Sequence, residues 1–279
     1  MSAPDAAIAA HYATGSLYER ILAGLDALGI AADAAGPEDL HPVDEFHSAG
    51  IEATNLLFDD LPLRPGETAL DIGSGIGGTA RKLAHRYGAH MTGVDLTEDY
   101  VATARRLSDL VGLSQLTAFQ VGSGTDLNFA GGTFDLVLML HVGMNIEDKA
   151  RLFAEAARVL KPGGQFAVYD IMDAGGAADI GFPVPWARDG SMSFVDTPQA
   201  YRDAALAAGL AARSETDRTA MVRDYFARVL DKMAKAGGPP PLGIHLLMGE
   251  TAGQKIRNYV SALNAGHLAT VEMVFGKPD

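Results

Sequence analysis

The sequence predicts an α/β protein built on a doubly wound, mostly parallel β-sheet. From Thr68 onward, short apolar runs typical of strands alternate with segments of helical periodicity, and this alternation favours strands joined by crossover helices. The first such unit, residues 69–95, reads ALDIGSGIGGTARKLAHRYGAHMTGVD. It contains a strand with an acid at its end, a glycine-dense turn, a helix and a second strand ending in an acid, an order typical of nucleotide-binding sites.

The remaining elements continue this alternation. The segment Lys161-Pro162-Gly163-Gly164 ends the helix before it, because proline cannot continue a helix and glycine tolerates a positive φ. The predicted strands span residues 68–72, 90–95, 117–121, 134–140, 165–171, 211–218 and 267–275, and the predicted helices span 77–87, 98–111, 147–160, 198–208, 219–236 and 249–264.

Two kinds of segment are expected outside the alternating core. Residues 1–62 are expected to form a helical cap, because residues 5–60 show helical periodicity broken by Gly36-Pro37 and His41-Pro42. Residues 63–279 are then one domain with lid insertions near 172–198 and 219–248. The first insertion is rich in glycine and proline and holds the single tryptophan, Trp186; a loop of this length inside a compact domain is usually functional or disordered.

Composition narrows the class of partner. The chain has 279 residues, a net charge of −13 and no cysteine, so disulfides, thiolate metal sites and a cysteine nucleophile are excluded. The negative charge disfavours nucleic acid and anionic membranes, which would repel the protein. No metal cluster, leader or membrane span is evident. We expect a cytoplasmic protein that binds a small molecule. The other partner that we consider is a second copy of the chain, in a homodimer.

The acid before the glycine turn helps to distinguish between nucleotides. Gly73-Ser-Gly75-Ile-Gly-Gly78 satisfies the G-x-G-x-x-G pattern of NAD sites. Asp71, however, stands where its carboxylate would repel a pyrophosphate, and it suits a ligand with a cationic amino-acid tail such as S-adenosylmethionine (SAM). An NAD-dependent oxidoreductase stays as the alternative from another class, although the chain contains no Tyr-x-x-x-Lys arrangement.

Asp71-x-Gly73-x-Gly75-x-Gly77, followed by Asp95 at the end of the next strand, resembles the class I SAM-dependent methyltransferases. The resemblance implies a Rossmann-like sheet of seven strands with an antiparallel last strand, and SAM as cofactor with S-adenosylhomocysteine as product. It places Asp71 near the ammonium of SAM, and it makes Asp95 the acceptor of hydrogen bonds from both ribose hydroxyls. The implied contacts also include Tyr12, Gly73, Ser74, Gly75, Gly77, Leu96, Ser123, Gly124 and Leu140, with Gly122-Ser123-Gly124 departing from the usual Gly-Asp-Ala.

Further motifs resemble bacterial small-molecule N-methyltransferases similar to the sarcosine/dimethylglycine enzymes. They are Asp44-Glu-Phe-His47, His141-Val-Gly-Met-Asn145 and Phe182-Pro-Val-Pro-Trp-Ala187. The resemblance implies a small amine as methyl acceptor, and an O- or C-methyltransferase of a phenol, quinone precursor or prenyl substrate is the alternative. An amine must arrive neutral, so His141 and His47 are candidate bases. Phe46, Asn145 and Trp186 are expected to face the acceptor, although Asn145 could instead cap the following helix.

Overall fold

A seven-stranded sheet forms the centre of the molecule in the computed structural model, which describes residues 3–12, 16–61 and 63–279. The strand order is β3-β2-β1-β4-β5-β7-β6. Strands β1 to β5 are parallel, and β7 runs antiparallel between β5 and β6. The predicted fold class is therefore confirmed. The strands are β1 Thr68–Ile72, β2 His90–Asp95, β3 Thr117–Val121, β4 Phe134–Leu140, β5 Leu160–Asp173, β6 Ala211–Asp217 and β7 Leu268–Gly276.

Helices cover the sheet and extend beyond its carboxyl edge. The helix predicted at 249–264 begins later, at Ala252, and Gly249 (φ 71°) ends a separate short helix, His245–Met248, before it. The strand predicted at 165–171 begins earlier, at Leu160, directly after α7. The helices are α1 Ala3–Tyr12, α2 Leu17–Ala27, α3 His41–Asp44, α4 Gly50–Asp59, α5 Gly78–Tyr87, α6 Glu98–Leu110, α7 Lys149–Val159, α8 Pro198–Ala207, α9 Thr219–Ala236, α10 His245–Met248 and α11 Ala252–Asn264.

The central strands of the sheet are buried on both faces. Alternate residues of a strand point to opposite faces, and in β4 Leu136, Leu138 and Leu140 belong to one hydrophobic cluster while Val137 and Met139 belong to another. The first cluster includes residues of α4, α5, α9 and α11, and the second includes residues of α7 and α8. This packing explains why β4 is a continuous apolar run rather than an alternating one.

The segments outside the sheet converge above the carboxyl ends of β1, β2 and β4. The loop between β5 and α8 contacts α1, where His11 Nε2 lies 3.3 Å from the carbonyl oxygen of Pro185. Arg81 of α5 forms a buried ion pair of 2.5 Å with Asp44 of α3.

None of the helices in the described ranges is long and apolar enough to cross a membrane.

Candidate functional site

A cavity of about 420 Å³ opens at the carboxyl edge of the sheet. This edge is where ligands bind in open α/β sheets, because loops from neighbouring strands diverge there. Its lining includes most of the residues singled out from the sequence: Phe46, His47, Asp71, Gly73, Ser74, Gly75, Asp95, Leu96, Ser123, Gly124, Leu140, His141, Asn145 and Trp186. The structure thus brings together segments that lie up to 140 positions apart, from Phe46 to Trp186.

The glycine turn exposes bare backbone to this cavity. Gly73 and Gly75 have φ angles of 72° and 53°, values that favour glycine over other residues. A Cβ at Gly75 would meet no atom within 4 Å, whereas one at Gly73 would collide with Val142. The hydroxyl oxygen of Ser74 is buried without a hydrogen-bond partner. Open space at Gly75 and an unsatisfied hydroxyl at Ser74 are features of a surface shaped to receive a ligand.

Two acids flank the turn. Asp71 is 3% exposed, and burial together with the charges of Asp95 and Glu45 raises its pKa well above the usual value. Burial also raises the pKa of Asp95, although its carboxylate accepts hydrogen bonds from the N–H groups of Gly75 and Thr97, both at 2.8 Å. Within the described ranges, no basic side chain pairs with either acid. The site therefore favours a cationic ligand.

The remaining predicted cofactor residues differ in their surroundings. Leu96 and Leu140 supply apolar lining. The hydroxyl of Ser123 lies 2.9 Å from that of Thr125 and accepts a bond from the Thr125 N–H, as in a local serine turn. No cluster of three or more acidic or histidine side chains among the described residues has an arrangement that could hold a metal ion.

Gly77 is the predicted contact that the structure does not place in the cavity lining. A Cβ at this position would lie 2.5 Å from the Phe119 ring and 3.0 Å from the Arg81 guanidinium. Gly77, with φ 83°, therefore allows α5 to start close against the sheet, and its contact with a ligand stays a prediction. Tyr12 ends α1, and its side chain lies outside the described residues.

His47 is held from one side by a buried glutamate. Its Nε2 lies 3.0 Å from Glu45 Oε2 and 3.0 Å from Thr54 Oγ1, and Thr54 donates to the same glutamate oxygen at 2.6 Å. Burial would raise the pKa of Glu45, but the hydrogen bonds from His47 and Thr54 hold that pKa below its usual value. These contacts assign the ring proton to Nε2. Nδ1 of His47 is then a buried acceptor without a partner.

His141 has the opposite arrangement. Its Nε2 accepts from the Ser48 N–H at 3.2 Å and lies 2.8 Å from Ser48 Oγ, while Nδ1 lies 3.2 Å from the Tyr169 carbonyl oxygen. Burial, together with the nearby His47, lowers the pKa of His141 to about 3. A weak base whose acceptor atom is already occupied does not fit the predicted role of general base. With φ 56°, His141 instead holds the end of β4 against Ser48 and Tyr169.

Asn145 and Trp186 join the strand edge to the loop that follows β5. The Asn145 amide donates to the carbonyls of Trp186 and Met192 at 2.8 and 3.2 Å. It does not cap the next helix, because Asp148 caps α7 by accepting from the Arg151 N–H. The Trp186 side chain is fully buried, and its Nε1 donates to Ser193 Oγ at 2.9 Å. We call residues 174–197, which these bonds hold over the cavity, the lid.

Sequence reasoning missed several residues of the site. Glu45 and Ser48 flank the predicted His47, but the sequence gives no indication of which neighbour faces which histidine. Tyr259 contacts Ser48 Oγ at 2.8 Å across 211 positions. The apolar periodicity of its helix predicts only that Tyr259 is buried. Nothing near Tyr259 in the sequence predicts its contact with Ser48.

The chain is similar in sequence to known methyltransferases. A family described as "Methyltransferase domain" matches residues 70–168. "Phosphoethanolamine N-methyltransferase 1" of Zea mays is 29% identical over 188 residues, which are 67% of this chain and 37% of the maize protein. The chain thus spans little more than a third of that relative.

Two solved structures share the fold. A "putative sarcosine dimethylglycine methyltransferase" from Galdieria sulphuraria superposes with a TM-score of 0.67 at 21% identity, covering 82% of this chain and 86% of that one. Geranyl diphosphate C-methyltransferase from Streptomyces coelicolor, in complex with Mg²⁺, geranyl-S-thiolodiphosphate and S-adenosylhomocysteine, superposes with a TM-score of 0.70 at 18% identity, covering 99% of this chain and 98% of that one. Residues 70–168 thus match a methyltransferase domain, and the chain shares the fold of these two structures.

Proposed function

We propose that this protein transfers the methyl group of SAM to the nitrogen of a small-molecule amine, with His47 as general base. One observation carries the proposal. A single cavity contains an open glycine turn flanked by two buried acids and, on its wall, a histidine held by a buried glutamate. Residues 1–62 are the cap of this site in our proposal, and the segments near 172–198 and 219–248 are its lid insertions.

The lining around the glycine turn suits SAM. Asp71 would face the ammonium, Asp95 the ribose hydroxyls and Leu96 the adenine, and the open position at Gly75 lets the ligand approach the backbone. Two buried carboxylates without basic partners stabilise the positive charge of a sulfonium and an ammonium. Ser74, Ser123, Gly124 and Leu140 complete the proposed cofactor surface, with Gly73 shaping the turn.

Bound SAM would supply a methyl group on a positively charged sulfur. The nitrogen lone pair would form the new carbon–nitrogen bond, and the sulfur would keep the carbon–sulfur electron pair as S-adenosylhomocysteine leaves. The protein aligns the two reactants and removes a proton. His47 Nδ1 accepts the proton that the amine nitrogen must lose, and Glu45 stabilises the imidazolium through Nε2. Trp186 and the lid exclude water from the reacting atoms. Alignment alone contributes effective molarities of up to about 10⁵–10⁸ M in well-oriented reactions.

The relatives support nitrogen as the acceptor atom. The maize protein is an N-methyltransferase by name, and the Galdieria structure is described as a sarcosine dimethylglycine methyltransferase. The Streptomyces coelicolor enzyme methylates carbon, so the fold by itself does not select the acceptor.

A mass-spectrometric assay tests the proposal. The full chain is incubated with SAM and a mixture of primary amines, secondary amines and phenols. We expect S-adenosylhomocysteine to form together with amines that have gained the mass of one methylene. Methylated phenols without methylated amines would overturn nitrogen as the acceptor, and the absence of both products and of S-adenosylhomocysteine binding would overturn the function as a whole.

A further inference from the structure

The cavity has a second surface that belongs neither to the glycine turn nor to the strand ends. It is formed by helices and loops packed above the sheet: α1, the lid, α9, α10 and α11. We call it the acceptor wall and define it by Ile8, Trp186, Phe226, Met248, Ile256 and Tyr259. The rings of Trp186 and Phe226 both meet the Tyr259 ring edge-on, with centroids 5.6 Å apart.

The polar atoms of the acceptor wall are engaged within the protein. Trp186 Nε1 donates to Ser193 Oγ, and the Tyr259 hydroxyl lies 2.8 Å from Ser48 Oγ and 3.2 Å from Thr270 Oγ1. The Asn145 amide nitrogen is directed to lid carbonyls. An acceptor in contact with this wall therefore meets carbon and aromatic edges rather than hydrogen-bond donors.

The charges around the cavity are mostly negative. Among the described lining residues, Asp5, Asp44, Asp71, Asp95, Glu147 and Asp148 are acidic, and Arg151 is the one lysine or arginine. Arg151 donates from Nε to the Thr125 carbonyl at 3.0 Å, beside Ser123 and Gly124 of the proposed cofactor surface. Asp44 is paired with Arg81. The buried Lys255, outside this lining, donates from Nζ to the Met248 carbonyl at 3.1 Å. A phosphate or carboxylate against the acceptor wall would thus meet no lysine or arginine among the described lining residues, and burial of an anion without a cation is strongly unfavourable.

We infer that the methyl acceptor is an amine carried on an apolar or aromatic body that has no phosphate or carboxylate group. This inference rests on the proposed function and names the substrate class of the same site. The acidic lining attracts the ammonium form of such an amine, and His47 with Glu45 converts it to the neutral nucleophile. The acceptor wall selects the body of the molecule by excluding anions.

A matched pair of probes tests the inference. 4-Methylbenzylamine and 4-(aminomethyl)benzoate present the same amine and ring and differ in one carboxylate. Phosphoethanolamine is the phosphorylated comparison, and 4-methylphenol is the oxygen comparison. With saturating SAM, we expect kcat/KM for 4-methylbenzylamine to exceed that for each anionic amine by at least about 100-fold, because no lysine or arginine of the described acceptor-wall lining receives the anion. We expect 4-methylphenol to be a poorer acceptor than 4-methylbenzylamine.

A charge placed on the acceptor wall should reverse part of this preference. Met248→Lys keeps a long unbranched side chain and adds a cation, so its kcat/KM ratio for 4-(aminomethyl)benzoate over 4-methylbenzylamine should rise by about 10-fold or more. Ile256→Lys, at a less buried position, makes the same test if Met248→Lys does not fold. Met248→Leu adds no charge and should leave the ratio near that of the wild type.

Binding of S-adenosylhomocysteine, measured on the same samples, separates the two claims. If it binds and an anionic amine equals or exceeds 4-methylbenzylamine, the inference fails while the proposed function stands. The inference also fails if 4-methylbenzylamine neither binds nor reacts, or if 4-methylphenol reacts better. If S-adenosylhomocysteine does not bind, the proposed function itself fails.

Discussion

Asp71 is the last residue but one of β1 and Asp95 ends the neighbouring parallel strand β2, and both carboxyl groups are buried. Ionised side by side, they repel each other, and burial adds to the cost of their charge. A bound cation removes part of this cost. At the scale of single residues, the chain therefore carries electrostatic strain that a sulfonium ligand would relieve, which is the reason that the acids, more than the glycines, indicate SAM.

Replacement of Asp95 tests the proposed ribose contact. Asp95→Ala removes two charge-assisted acceptors, and we expect affinity for S-adenosylhomocysteine to fall by about 100-fold or more. Calorimetric titration measures the change. Asp109→Ala, at an exposed acid on α6, is the matched control and should bind as the wild type does. Equal affinities in the two variants would remove Asp95 from the cofactor site.

Replacement of His47 tests the proposed base. His47→Asn should lower kcat by about 10²–10⁴-fold near pH 7 without loss of S-adenosylhomocysteine affinity, and Glu45→Gln should give a smaller loss. Because more of an amine is already neutral at high pH, the defect of His47→Asn should shrink at about pH 9. A defect that stays constant with pH, measured in steady-state assays, would assign His47 a structural role.

Local patterns predicted which histidines lie at the site but not what each one does. His47 and His141 both line the cavity, with ring centroids 6.1 Å apart. Their different states depend on Glu45, Thr54, Ser48 and the Tyr169 carbonyl. Whether an imidazole donates to a carboxylate or accepts from a backbone N–H is decided by tertiary contacts, so the sequence could not have distinguished them.

At the scale of elements, side chains from outside the lid hold it by hydrogen bonds to its backbone carbonyls. Asn145 donates to two lid carbonyls, and Asn258 of α11 donates to a third, that of Pro183, at 2.8 Å. The sequence predicted a functional loop here from its length and composition. It could not show that a residue just beyond β4 fastens the loop, because the contacts join positions 41 to 75 apart.

Loss of the Asn145 amide should loosen the lid. Asn145→Ala leaves two lid carbonyls without their donor, and we expect a cost of about 1–3 kcal/mol in the free energy of unfolding. Hydrogen exchange followed by mass spectrometry should show faster exchange over residues 184–194 and unchanged exchange in α8. Asn128→Ala, at an exposed position, should change neither. Unchanged exchange in the lid of Asn145→Ala would contradict this role.

Regular elements were the most predictable part of the chain. Strands β1 to β4 occupy the residues expected, as does α9, because apolar runs bounded by glycine, proline and acids are strong local signals. The N-terminal segment was predicted only as helical with turns. Its four helices and two 3₁₀ turns over residues 3–59 bury their faces against α5, α6 and α10 or beneath the lid, partners that local periodicity does not identify.

At the scale of the whole molecule, a half-buried histidine that is held neutral makes stability depend on pH. The pKa of His141 is about 3 in the folded protein against 6.5 as its ordinary value. Below pH 6.5 the unfolded chain takes up a proton at this residue while the folded protein does not, so folding becomes less favourable as the pH falls. This one group lowers the free energy of unfolding by about 2 kcal/mol between pH 6.5 and pH 5.

The variant His141→Gln removes that titration while retaining an acceptor for the Ser48 N–H. Urea unfolding at both pH values should show a shallower loss of stability than in the wild type, by about 2 kcal/mol. His90→Gln, on an exposed strand residue, should follow the wild type. An unchanged slope in His141→Gln would show that His141 is not held neutral by its surroundings.

Binding of SAM in the cavity at the carboxyl edge of the sheet is tested most directly by one calorimetric experiment. Wild-type protein is titrated with S-adenosylhomocysteine and, separately, with NADH. We predict saturable binding of S-adenosylhomocysteine at one site per chain and no binding of NADH, because Asp71 and Asp95 surround the glycine turn with negative charge that repels a pyrophosphate. Tight binding of NADH without binding of the thioether would contradict the account.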